Sequence, residues 1–168
     1  MELCIKRGFN KSTIIHNGEP VFIIKNARIF GTEKIICHND GSCAYSVRRD
    51  PKPLDNRDKY IFTDQDSKNE FYAWVNKDIS HGKNLPFYKY FLLKPINLCI
   101  EAESFFGELY LEHIGFGKFN ILINGKKCGF MTKHMINCSE IDDLGLLAVL
   151  YVFSGYILSG EEYYRVVN

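Results

Sequence analysis

The chain has 168 residues, and its 21 Lys and Arg residues nearly balance its 20 Asp and Glu residues, which leaves a formal charge of +1. Hydrophobic residues make up 46% of the chain and charged residues 24%, which excludes a disordered, collagen-like or coiled-coil protein. The near-neutral charge argues against a nucleic-acid-binding protein, since such proteins carry a basic excess. We therefore expect one domain, spanning residues 1–168, that buries its own hydrophobic core.

The amino-terminal segment and the cysteines predict the compartment. Met1–Arg7 has no apolar run behind a basic start, so it does not have the pattern of a secretory signal. An even number of cysteines is compatible with disulfides, but the missing signal favours reduced thiols and a cytoplasmic location. No Cys-x-x-Cys motif occurs, which argues against a zinc ribbon. The six cysteines are Cys4, Cys37, Cys43, Cys99, Cys128 and Cys138.

The first half of the chain is typical of short strands joined by turns. Asn17-Gly18 separates two extended runs and predicts a tight β-hairpin, because Asn and Gly accept the positive φ angles of its turn. Asn39–Gly41 turns the chain between the next two runs, and Arg49–Asp58 is the longest predicted loop. The predicted strands here are Ser12–His16, Pro20–Lys25, Arg28–His38, Ser42–Arg48, Lys59–Thr63 and Glu70–Asn76.

The same pattern continues as far as residue 132. Ile79–Pro86 is predicted as a loop, and Pro95 marks a break or a sheet edge. Asn124-Gly125 predicts a second tight hairpin. The predicted strands are Phe87–Leu93, Ile96–Ala102, Glu108–His113, Phe119–Ile123 and Lys127–Thr132.

The period of the hydrophobic pattern changes after the last of these strands. Leu144–Leu158 contains no charged residue, and its pattern predicts a helix. Ser139–Asp142 supplies N-cap candidates and acidic residues for the first turn, Gly160 suits the C-cap, and Glu162–Val167 is predicted as a last strand. A helix that is apolar on every face must be surrounded by protein or lipid. It would rise about 22 Å, short of the roughly 30 Å hydrocarbon core of a bilayer. We therefore expect burial within protein rather than a membrane anchor.

Many alternating strands followed by one such helix indicate a sheet that wraps the helix. The predicted fold is mainly β (α+β), a closed antiparallel β-barrel of about twelve strands around a central hydrophobic C-terminal helix. Closure would remove the sheet edges that otherwise promote aggregation.

The stretch Tyr110–Leu158 resembles the tubby-like, LURP-one-related and phospholipid-scramblase superfamily. It combines a strand, the run FNILINGKKCGFMTK, an acidic segment at Glu140–Asp143 and the run LLAVLYVFSGYIL. The runs VFIIKNARIFGTEKIICHNDGSCAYSV and KYIFTDQDSKNEFYAWV are similar in rhythm to the family's strand–turn–strand units. The resemblance implies a twelve-stranded barrel filled by the helix. Tubby-type domains bind phosphoinositides through a basic pocket, whose residues have no position-by-position match in this chain, and a scramblase-type transmembrane tail is absent.

No motif in the sequence predicts catalysis or a cofactor. Cys37, His38 and Cys43, with His134 and Cys138, are a conceivable zinc set, but strand alternation sends Cys37 and His38 to opposite faces. Asp64–Asn69 begins like a calcium loop but has Asn69 where an EF-hand needs Gly, so we expect a polar hairpin turn. Gly115–Lys118 leads into a strand rather than a helix and lacks a third glycine, which argues against nucleotide binding. We expect a protein that is not an enzyme and binds no metal.

Two groups of basic residues are the candidate anion or headgroup site. On one rim of the barrel they would hold a phosphate through charge-assisted hydrogen bonds; the alternative is an ordinary solvated surface. The expected function is a non-enzymatic module that binds an anionic phospholipid or a protein, with no nucleic-acid partner and no transmembrane segment. The alternative is a small-ligand carrier or an enzyme that uses a barrel cavity. The candidate residues are Arg48, Arg49, Lys52, Lys126, Lys127 and Lys133.

Overall fold

A computed structural model of the chain describes residues 1–28, 33–49, 59–76, 97–101, 109–115 and 117–158. These residues are mainly β, with one C-terminal helix, as the sequence predicts. The strands are β1 (Glu2–Arg7), β2 (Lys11–His16), β3 (Glu19–Asn26), β4 (Lys34–His38), β5 (Cys43–Arg49), β6 (Lys59–Asp64), β7 (Glu70–Asn76), β8 (Asn97–Glu101), β9 (Leu109–Gly115), β10 (Lys118–Ile123), β11 (Lys126–Met131) and β12 (Met135–Cys138). The helix is α1 (Leu144–Leu158).

Each strand pairs antiparallel with the strand that follows it in the chain. The first strand also pairs with the last, and Leu3 of β1 lies opposite Ile136 of β12. The order of hydrogen-bonded neighbours is therefore the sequence order. Since the strands alternate in direction, every second connection lies at the same end of the sheet.

Both Asn-Gly hairpins form where the sequence predicts them. Asn17 and Asn124 have φ angles of 52° and 49°, and the glycines that follow them have φ angles of 85° and 76°. Two successive positive φ angles match the twist of a two-residue hairpin. The predicted polar turn at Asp64–Asn69 also forms, and Asp64 Oδ1 accepts a hydrogen bond from the Asp66 amide at 2.8 Å.

Helix α1 has the predicted bounds, and its middle is buried on all sides. Four consecutive residues, Leu147–Leu150, are buried, and they point in directions about 100° apart around the helix axis. Phe153 packs edge-on against Phe62 and Tyr60, with ring centroids 4.1 Å and 5.5 Å apart. The predicted burial within protein is confirmed. Within the described ranges, no helix combines the length and the apolar character that a bilayer span requires.

The start of α1 differs from the prediction. Asp143 is the N-cap, and its Oδ1 accepts hydrogen bonds from the amides of Gly145 at 2.8 Å and Leu146 at 3.0 Å. The prediction of a cap within Ser139–Asp142 and of acidic residues in the first turn was wrong. Only a side chain one residue before the helix reaches the amides of its second and third residues, so the cap falls on Asp143.

Several other predictions differ from the structure or lie outside it. Arg49 belongs to β5, so the predicted loop does not begin at Arg49. Strands β1 and β12 form where the sequence predicted none. The predictions that lie outside the described residues are those for Ile79–Pro86, Phe87–Leu93, Pro95, Gly160, Glu162–Val167 and residues 50–58 of the predicted loop.

Candidate functional site

A pocket of about 500 Å³ opens at the end of the sheet where β1 runs into β2. The turn between β1 and β2, the facing parts of β3 and β4, and Lys133 between β11 and β12 form its sides. The last turns of α1 form its floor. The pocket therefore lies where the core helix ends rather than between the helix and the sheet.

Five of the side chains that line this pocket are basic. Of its described lining residues, none is Asp, Glu, His or Cys. Sheet register brings the basic residues together, since Lys11 lies directly opposite Lys25 and Asn26 lies opposite Lys34. Like charges opposite one another destabilise a sheet, so the arrangement has a cost that a bound anion would remove. The five are Arg7, Lys11, Lys25, Lys34 and Lys133.

The floor of the pocket combines apolar groups with hydroxyls. The Tyr151 hydroxyl donates a hydrogen bond to the Lys133 carbonyl at 3.2 Å, and the Ser154 hydroxyl donates one to the Tyr151 carbonyl at 2.8 Å. Burial raises the pKa of Tyr151, and nearby Arg7 and a hydrogen bond with Ser12 oppose that shift in part. The phenol is therefore neutral at physiological pH and acts as a hydrogen-bonding group.

The carboxyl end of α1 attracts part of this positive charge. A helix carries about half a negative charge at its carboxyl end, and basic side chains nearby stabilise it by about 0.3–1 kcal/mol each. Half a charge does not neutralise five cationic side chains.

The pocket is part of a charge asymmetry along the whole sheet. We call the end with the pocket the basic end and the other the acidic end. Apart from the Arg48–Glu70 pair, the charged residues whose side chains the structure describes, within two positions of a connection or of the chain's start, divide by end. At the basic end they are Glu33 and the basic residues Lys6, Arg7, Lys11, Lys25, Arg28, Lys34, Lys118 and Lys133. At the acidic end they are Lys68, Lys126, Lys127 and the acidic residues Glu2, Glu19, Asp40, Asp64, Asp66, Glu140, Asp142 and Asp143.

The six candidate residues from the sequence do not share one rim. Lys133 lines the pocket, whereas Lys126 and Lys127 are exposed at the opposite end of β11. Arg48 is exposed on β5, and its guanidinium lies 3.4 Å from the Glu70 carboxylate. Arg49 is the last residue of β5, and Lys52 lies outside the described residues.

Sequence reasoning missed four of the five basic pocket residues. Arg7, Lys11, Lys25 and Lys34 are spread over 28 positions of the chain and form no local cluster. The sequence does show that these residues lie at every second connection between strands. In a sheet whose strands are neighbours in sequence order, those connections lie at the same end.

Among the described residues, none of the usual metal-ligating types lines this pocket. In the described part of the chain, no three His, Cys, Asp or Glu residues lie close enough to hold a metal ion together. Arg and Lys side chains, by contrast, bind phosphate and carboxylate groups through charge-assisted hydrogen bonds. The chemistry that the pocket offers is recognition of an anion.

Comparison with known proteins adds no name to this site. No protein family, no curated protein and no solved structure matches the chain. The resemblance to the tubby-like and LURP-one-related superfamily therefore stays a prediction. Any function has to be argued from the pocket itself.

Proposed function

We propose that the chain is a non-enzymatic binding module that holds a phosphate-bearing anion, such as a phospholipid headgroup, in the pocket at the basic end. The observation that carries this proposal is the set of five basic side chains around a cavity of about 500 Å³, with no acidic residue among the described residues that line it. That volume lies within the usual range for small-molecule sites, and phosphate is the common anion that Arg and Lys recognise best.

We propose further that the module is a closed barrel of the tubby-like, LURP-one-related type. Three observations support it: the strands are neighbours in sequence order, β1 pairs with β12, and the middle of α1 is buried on all sides. In such a barrel the helix fills the interior and leaves the ends for ligands. The pocket at the end of α1 is in keeping with that arrangement.

The alternative of a carrier or enzyme with an interior cavity has less support. The space between α1 and the sheet is filled by one cluster of buried apolar side chains. The pocket at the basic end has no carboxylate, imidazole or thiol among its described lining residues, and these groups do most general acid–base work. A protein partner would need an acidic projection to enter this concave site, so a small anion is the better fit.

We propose a cytoplasmic location for this module, since its cysteines are typical of reduced core thiols. Cys128 Sγ and Cys138 Sγ lie 3.7 Å apart in the core. Two thiols this close are expected to become a disulfide in an oxidising compartment.

Calorimetric titration with a soluble inositol trisphosphate tests the proposal. The double variant Lys11→Gln/Lys25→Gln should bind more weakly by at least about a hundredfold, since each of its two lost hydrogen bonds to a charged group contributes about 1.5–3 kcal/mol. The matched control Lys126→Gln/Lys127→Gln removes the same charge at the acidic end and should bind like the wild type. Equal weakening in both variants would refute a defined site.

A second probe identifies the source of the phosphate. Inorganic phosphate carries the same chemistry without the inositol ring. Tighter binding of the trisphosphate would assign the pocket to a lipid headgroup, whereas equal binding would assign it to free phosphate. The trisphosphate should bind more tightly, because it engages several of the five basic side chains at once.

A further inference from the structure

The two large hydrophobic side chains that are exposed in the described residues both belong to the basic end. Phe9 is 101% exposed at the tip of the turn between β1 and β2, where it borders the pocket. Ile114 is 44% exposed and is the penultimate residue of β9, next to the connection to β10. Among the side chains that the structure describes at the acidic end, no large hydrophobic one is exposed.

Exposed apolar side chains beside a basic surface are complementary to an anionic bilayer in particular. An anionic bilayer offers phosphates and carboxylates at its headgroups and apolar chains just below them. A protruding aromatic side chain with lysines around it fits both layers at once. A protein partner would need a preformed apolar hole for Phe9 within an acidic surface.

We propose that the basic end docks on an anionic bilayer, with Phe9 inserted below the headgroups. The docking rests on the proposed function in that the pocket would hold a headgroup in the same step. The charges supply most of the affinity, since each basic residue near an anionic bilayer strengthens binding about fivefold. Partial burial of one Phe side chain adds roughly a further tenfold.

Docking in this way also orients the molecule. The carboxyl end of α1 faces the bilayer, because its last turns form the floor of the pocket. The acidic end faces away, where its Asp and Glu side chains avoid the negative surface potential.

Co-sedimentation with vesicles tests the proposal. Phosphatidylcholine vesicles containing phosphatidylserine should bind the wild-type chain at physiological salt, and pure phosphatidylcholine vesicles should not. Phe9→Ser should weaken binding to the anionic vesicles about tenfold. Phe9 is exposed in a turn, so Phe9→Ser leaves the core untouched. Wild-type vesicle binding by Phe9→Ser would overturn the proposal.

The two proposals fail in different ways. If the trisphosphate binds and anionic vesicles do not, the docking is wrong and the pocket proposal stands. If vesicles bind and Phe9→Ser weakens that binding, but the trisphosphate does not bind, the docking stands and the pocket proposal is wrong.

Fluorescence of Phe9→Trp gives an independent readout. Its emission should shift to shorter wavelength when anionic vesicles are added, beyond any change from Trp74, the only natural tryptophan. The matched control Lys126→Trp, at the acidic end, should show no added shift. If the emission of Phe9→Trp shifts with protein concentration in the absence of vesicles, a second copy of the chain covers residue 9. That result would overturn membrane docking.

Discussion

Tyr45 packs so closely against Gly145 that a side chain at residue 145 would meet the ring. The Cε2 atom of Tyr45 lies 2.5 Å from the place where a Cβ on Gly145 would be. Gly145 is the second residue of α1, and its amide donates to the Asp143 cap at 2.8 Å. A glycine here therefore lets β5 approach the first turn of the helix. The contact fixes the start of α1 against the sheet.

Gly145→Ala should destabilise the protein by about 1–3 kcal/mol, because the new methyl group displaces the Tyr45 ring. This cost exceeds the gain of up to about 1 kcal/mol that alanine brings to a helix. Gly155→Ala is the matched control, because a Cβ there meets no atom within 4 Å. Urea unfolding should show that control to be as stable as the wild type or more stable. Stabilisation by both substitutions would show that Tyr45 does not press on the helix.

Phe153→Ala should cost about 3–5 kcal/mol, since it removes a large buried side chain and leaves a cavity. Its ring centroid lies 4.1 Å from that of Phe62, and Tyr60 packs on it from the same strand. Ile114→Ala is the control on the outer surface and should change stability by less than about 0.5 kcal/mol. Equal effects of the two substitutions in urea unfolding would contradict a core built around α1.

The sequence predicts those elements whose signals are local. An Asn-Gly pair carries its turn geometry within two residues, and Leu144–Leu158 carries its burial in its lack of charge. Strands β1 and β12 were not predicted, because their pairing joins the first and last strands of the sheet. With four residues, β12 is too short to show an alternating pattern of its own.

The site was harder to predict than the fold for the same reason. Lys126 and Lys127 look close to Lys133 in the sequence, but a six-residue strand separates them by roughly 20 Å. Lys11 and Lys25 are 14 positions apart and yet directly opposite in the sheet. Register and strand direction decide which basic residues meet, and neither can be read from neighbouring residues in the chain.

Tyr45 should make stability fall in alkaline solution. Burial, together with the carboxylates of Asp143, Asp64 and Asp66, raises the pKa of Tyr45 to about 12. In the unfolded chain a tyrosine has a pKa of about 10. The folded state therefore keeps a proton that the unfolded chain loses between these values. The stability contributed by this group is fully present below pH 10 and is lost as the pH rises toward 12.

Two variants isolate this effect from the other groups with raised pKa values, Cys128 and Tyr151 among them. Tyr45→Phe should lose less stability between pH 10 and 12 than the wild type, as measured by urea unfolding at each pH. Asp143→Asn keeps a side chain that caps the helix but removes a nearby negative charge, so it should lower the pKa of Tyr45 in an absorbance titration of the phenolates. An unchanged slope of stability against pH in Tyr45→Phe would show that the Tyr45 hydroxyl is already solvated in the folded state.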